Sequence, residues 1–167
     1  MDGIAAARES LRKTTAELGE DHPATAVMLC NLASSMLAAG YGNYAEHYAR
    51  QSLAILELRF GPRDPSLVLP LNVLAEAVFS QGRFAEAGEF AGRAVAIGPD
   101  AEAHYGTALH DLAAVYQVEG NLAAASDLYQ RALAVRQRFL PAGHPYIRLT
   151  RDALEQLQRQ SRKHSGR

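Results

Sequence analysis

The sequence predicts an all-α fold: a superhelix of antiparallel helix hairpins with three full repeats, an N-terminal half-repeat and a C-terminal capping helix. Three observations predict it. First, LCNLASSMLAAGYGNYAEHYARQSLAI, LNVLAEAVFSQGRFAEAGEFAGRAVAI and LHDLAAVYQVEGNLAAASDLYQRALAV align without a gap from Leu29, Leu71 and Leu109, spaced 42 and 38 residues apart. Second, each unit reads L-x-x-L-small-x-x-apolar, then Gly, then small residues three or four apart, which places them on one helical face. Third, His22-Pro23, Asp64-Pro65 and His144-Pro145 fall at equivalent loop-to-helix junctions. The chain is 48% hydrophobic and 21% charged, a composition that excludes extended disorder, and its alanine-rich runs suit closely packed helices.

The elements follow in order. Residues 2–20 form a half-repeat, since Ser10-Leu11 and Gly19 match Ser52-Leu53 and Gly61 at a spacing of 42. Full repeats occupy 22–60, 64–98 and 101–140. In each, the glycine (Gly40, Gly82, Gly120) ends the first helix and small residues let the second approach closely. The second repeat loses four residues after Ile97, so its second helix is expected to be about one turn short. Pro70 predicts either a kink or a helix that begins near Leu69 with the proline in its first turn. A capping helix spans 145–160 with Ile147, Thr150, Leu154 and Leu157 on one face, and residues 161–167 read as a flexible basic tail.

The repeat pattern resembles tetratricopeptide (TPR) repeats. Its longer period and its His-Pro or Asp-Pro junctions are similar to the repeats of kinesin light chains and their bacterial relatives. The resemblance covers roughly Ser10 to Leu157 and implies a solenoid that binds proteins or peptides without catalysis. It also implies site residues. In kinesin light chain repeats an Asn pair before the Leu-Ala step holds the backbone of a cargo peptide; here Asn31 matches the second of the pair and Asn72 the first. His110-Asp111 stands there in the third repeat, which weakens any transfer of cargo specificity.

The residues themselves give little chemistry. Net charge is −1, with 17 basic and 18 acidic residues, so no electrostatic pull toward nucleic acid or a membrane surface is expected. Cys30 is the only cysteine, which excludes an internal disulfide, and it reads as a packing residue. His22 and His144 are explained as helix caps, and His104 and His110 are six apart, not the three or four that a helical ligand pair needs. No nucleophile elbow, Walker sequence or cofactor signature is present. No secretory signal or membrane span is recognised, and a cytoplasmic location is expected.

A binding surface is better founded. The first helix of each hairpin should line the concave side of the superhelix, where positions two residues either side of the central leucine turn outward. These are Cys30 and Ser34, Asn72 and Glu76, His110 and Ala114; their neighbours Asn31, Leu37, Phe79, Asp111 and Gln117 complete a polar, nearly neutral groove for an extended peptide. The basic residues of a carboxylate clamp are missing from it. A second surface is the N-terminal half-hairpin, where Ile4, Leu11 and Leu18 begin without a preceding helix; the alternative functions are a structural module that forms a homodimer through it, or a regulatory module that senses a peptide by tightening the superhelix.

Overall fold

A computed structural model describes the backbone of residues 3–165 and the side chains of residues 3–161. The junction chemistry sets the helix starts. His22 Nδ1 accepts the amide of Ala24 at 3.1 Å, Asp64 Oδ1 that of Ser66 at 2.9 Å and His144 Nδ1 that of Tyr146 at 3.2 Å. In each case a proline follows, where its missing N–H is one of the helix's unbonded donors. The glycines set the stops. Gly40, Gly82 and Gly120 have φ of 82°, 78° and 82°, which lets the next amide turn back: Tyr41 N–H to Met36 O, Arg83 to Val78 and Asn121 to Tyr116, at 2.9, 3.0 and 2.8 Å.

Eight helices result among the described residues: α1 Gly3–Leu18, α2 Pro23–Ala38, α3 Gly42–Phe60, α4 Val68–Ser80, α5 Phe84–Ile97, α6 Ala103–Val118, α7 Leu122–Phe139 and α8 Pro145–Ser165. Each packs on its chain neighbour, and α4 also touches α2 and α6. The arrangement is an all-α solenoid in which α2, α4, α6 and α8 are the first (A) helices of successive units and α1, α3, α5 and α7 the second (B) helices. A 3₁₀ turn, Pro65–Leu67, precedes α4, so Pro70 sits buried in that helix's first turn. α5 has 14 residues against 19 in α3 and 18 in α7, the shortening expected from the lost residues. α8 runs to Ser165, past the expected end at 160, because its apolar stripe ends in Leu157 while its helical backbone continues. Residues 166 and 167 of the basic tail, and the side chains of Lys163 and His164, lie outside the described residues.

Small residues carry the packing. Ala45 and Ala49 of α3, Ala91 and Ala94 of α5, and Ala125 and Ala132 of α7 are all fully buried, so the helices approach to backbone distance. Ser52 holds the position of Ala94 and spends its hydroxyl on Ala26 O at 2.7 Å. Along the B helices, α3 is tied to α5 by Arg50–Glu86 at 2.6 Å and the Glu57–Arg93 pair, and to Arg83 just before α5 by Glu46–Arg83 at 2.7 Å. Burial works against the Glu46 carboxylate, but hydrogen bonds from Arg83, Arg50 and Gln81 outweigh it and hold its pKa below the usual value.

The short second repeat leaves one strained residue. After the 3₁₀ turn Pro99–Ala101, Glu102 adopts φ 51°, the only positive φ of a non-glycine residue among those described. It is exposed and makes no side-chain capping bond. Glu102→Gly is therefore expected to stabilise the fold by about 1 kcal/mol, the relief of strain exceeding glycine's extra chain entropy. A urea midpoint that falls in the variant would show that the turn is not strained.

Candidate functional site

The A helices form a groove with two adjoining hollows. One, of about 240 Å³, is lined by Glu76 and Phe79 of α4, Thr107, His110, Asp111 and Ala114 of α6, Arg136 of α7, and Tyr146 and Leu149 of α8. The other, also about 240 Å³, lies toward the N-terminus between Ser34 and Leu37 of α2, Asn72 and Glu76 of α4, and His104, Thr107 and Tyr146. Glu76, Thr107 and Tyr146 belong to both, so the groove is continuous from α2 to α8. A larger hollow of about 480 Å³ lies apart from this groove, between α1, α2 and α3, with Leu11, Thr15, Tyr48 and Ile55 in its wall.

The expected groove residues separate into two sets. Ser34, Leu37, Glu76, Phe79, Asp111 and Ala114 line the hollows. The position two before the leucine of each repeat's Leu-Ala step behaves differently, because it faces the following A helix, although Asn72 and His110 there also line the hollows. Cys30 there is 1% exposed and packed in the core, and burial raises its thiol pKa to about 12, so it is no groove residue. Asn72, 4% exposed, donates Nδ2–H to His104 O of α6 at 2.9 Å, while its Oδ1 has no partner. The His110 ring lies against Tyr129 with centroids 5.0 Å apart and places Nδ1 3.3 Å from Thr150 Oγ1 of α8.

The next position faces the preceding A helix. Asp111 there looks toward α4 and Val73 toward α2. No A helix precedes α2 among the described residues, and Asn31 at the equivalent position is exposed and lines neither hollow. Gln117 is spent internally: Nε2 donates to Gln160 Oε1 and Oε1 accepts from the Tyr129 hydroxyl, both at 3.0 Å, so it joins α8 to the stack. At the N-terminus, Ile4 and Leu11 turn inward onto the cluster of Leu32, Met36, Ala45 and Ala77, and only Leu18 of the three is largely exposed, at 49%.

Arg136 was not expected. It occupies the register of Leu56, a core position, and a charged residue there was the readable signal. Its side chain is 1% exposed because it passes beneath α6 at Gly106, where a Cβ would stand 3.0 Å from Arg136 Cγ. The guanidinium donates to Tyr146 O at 3.0 Å, to Thr150 Oγ1 and to Thr107 Oγ1 at 3.4 Å, while its Nε–H has no partner. Thr107, Tyr146 and Leu149 also line the groove, from outside the Leu-Ala centre that helical periodicity marks in each repeat.

The titrating groups of the hollow are displaced by burial. Desolvation pushes the His110 pKa down to about 4, helped by the Arg136 charge. Desolvation, then the charge of Glu76, raises Asp111 well above the usual carboxylate value against the opposing effect of Arg136. Glu76 is solvent-exposed, yet its carboxyl stands in a concave wall of protein atoms, and that crowding raises its pKa too. Among the described residues no group of three or more His, Cys, Asp or Glu side chains is placed to hold a metal ion, and no helix is long and apolar enough to cross a membrane.

Comparison with known proteins agrees with the fold. Residues 106–146 match the family model described as tetratricopeptide repeat. None of the curated proteins compared with the chain matches it. Among solved structures, the nearly identical TPR-like repeats of a Podosopora anserina kinesin light chain superpose with a TM-score of 0.70 at 22% identity, over 98% of this chain and 79% of that one. BtubC (BKLC) from P. vanneervenii superposes with a TM-score of 0.73 at 21% identity, over 93% of this chain and 63% of that one. The fold is one that generally serves protein–protein interaction. The chain is thus an all-α solenoid with a tetratricopeptide repeat match at residues 106–146, similar in fold to the repeats of kinesin light chains.

Proposed function

We propose that this chain is a non-catalytic interaction module whose A-helix groove binds an extended peptide, either free or as a segment of a partner protein. The observation that carries the reading is the continuous groove itself, with Glu76, Thr107 and Tyr146 common to its two hollows. Its walls alternate apolar side chains (Leu37, Leu69, Phe79, Leu149) with hydrogen-bonding ones (Ser34, Asn72, Glu76, Thr107), which is what a peptide backbone with alternating side chains requires. Asn72 Oδ1, buried without a donor, is an acceptor for a ligand amide. Nucleic acid and membrane are not partners in this reading, no cofactor enters it, and the setting is cytoplasmic.

The test uses side chains that line the groove without supporting the fold. Leu149 is 50% exposed and Ser34 bonds only to Cys30 O of its own helix. Octapeptides selected by display on the purified chain should lose at least about tenfold in affinity, by fluorescence anisotropy, against Leu149→Arg and Ser34→Arg. Asn72→Ala is the wrong probe, because losing the bond to His104 O also weakens the packing of α4 on α6. Selected peptides that bind both arginine variants as well as the unaltered chain would place their site elsewhere.

A further inference from the structure

The hollow between α4 and α6 has a composition that goes beyond a generic groove. Its volume of about 240 Å³, below the ~300–1,000 Å³ of small-molecule sites, is on the scale of one long side chain. Phe79, Ala87, Ala114 and Leu149 supply an apolar wall that would suit a methylene stem. Two carboxyl groups of successive A helices, Glu76 and Asp111, share the same small space.

The polar groups there are incompletely used. Asp111 Oδ2 is buried and has no hydrogen-bond partner. Beside it, in the adjoining hollow that also contains Glu76, the Oδ1 of the 4%-exposed Asn72 is likewise unpartnered. These are acceptors without donors. Arg136 does not satisfy them: its terminal N–H groups go to Tyr146 O, Thr150 and Thr107, and its Nε–H, itself unpartnered, bonds to neither acceptor. A ligand with several N–H donors on one positive group would bond both carboxyls and balance their charge, which a neutral donor does not, while Asn72 Oδ1 remains for a backbone amide.

We propose that this hollow is the specificity pocket of the groove and takes one lysine or arginine side chain of an extended peptide, with Glu76 and Asp111 as its counter-ions. The proposal rests on the groove reading above. The groups facing Asp111 from its surroundings are Glu76 on α4, His110 on its own helix, Arg136 and Tyr129 on α7 and Tyr146 on α8. Burial first, and then Glu76 against the opposing charge of Arg136, favours a proton on Asp111. An entering cation replaces that proton, and binding releases it to solvent.

The experiment uses the full chain and a positional-scanning library of acetylated octapeptides, built on the sequences selected above, with one position fixed in turn as lysine, arginine, norleucine or glutamate. At one position lysine or arginine should bind about tenfold or more tighter than norleucine. Glu76→Gln and Asp111→Asn, both close in shape to the native residues, should each cut that preference to under about threefold. Calorimetry in buffers of different ionisation enthalpy should show proton release with the lysine peptide that Asp111→Asn abolishes. Equal affinity for lysine and norleucine at every position, a preference for glutamate, or a basic preference that survives the double variant would each overturn the pocket. Peptides that bind, are lost in Leu149→Arg and show no basic preference would remove the pocket and leave the groove; no binding by any octapeptide would remove both.

Discussion

Arg136→Ala is expected to destabilise the fold by about 3 kcal/mol, the combined effect of a buried void and of acceptors left without their donor. The side chain is 1% exposed and joins three helices, from α7 to Thr107 of α6 and to Tyr146 and Thr150 of α8. Its guanidinium also lies 5.1 Å from the centre of the Tyr146 ring. Removing it should loosen α8 first, because among the described residues that helix packs mainly on α7. Arg136→Met, which keeps the stem and drops the donors, should recover about half the loss, and lysine should not substitute, since one ammonium cannot reach the three acceptors the planar fork serves. Urea denaturation with hydrogen exchange on α8 reads both effects. An unchanged midpoint in the alanine variant would mean that the buried cation contributes nothing to holding the cap.

The second large effect is a loss of stability in acid through His110. Its pKa falls from the ordinary 6.5 to about 4 in the folded chain because burial, and then Arg136, disfavours the imidazolium. The unfolded chain therefore takes up a proton near 6.5 that the folded chain refuses until about 4. This stability is complete above the higher value and lost as pH falls toward the lower, on the order of 3 kcal/mol in all. Asp111 works in the opposite sense. Its folded pKa is raised above 3.8, so its contribution to stability is present below that value and is lost as pH rises through the folded pKa, masking part of the histidine effect. Comparing urea midpoints at pH 7 and pH 4.5, Asp111→Asn should steepen the acid loss and His110→Gln should flatten it. A pH dependence identical in the two variants would show that these groups do not govern it.

Sequence and structure divide the account at a definite place. Repeat register, helix ends and caps were legible because they are local: His22, Asp64 and His144 bond amides two residues away, and Gly40, Gly82 and Gly120 turn the chain within five residues. The shortened α5 and the position of Pro70 follow from the same short-range rules. The groove was legible in part. Ser34, Leu37, Glu76, Phe79 and Asp111 were readable from helical periodicity, which assigns a face without saying what stands opposite it. What faces each position is a fact of stacking. Only stacking buried Cys30, engaged Asn72 with His104 and turned His110 and Gln117 onto neighbouring elements.

The sequence by itself determined a solenoid of three hairpins with a half-repeat before and a cap after, because hydrogen bonds and apolar periodicity within about forty residues are enough to specify each unit. The tertiary structure alone decided that Arg136 runs beneath Gly106 to the floor of the groove and that Glu76 and Asp111, from different repeats, share one hollow. The physical reason is that a side chain's solvent, charge partners and unfilled hydrogen bonds belong to the space between repeats, which no single repeat encodes.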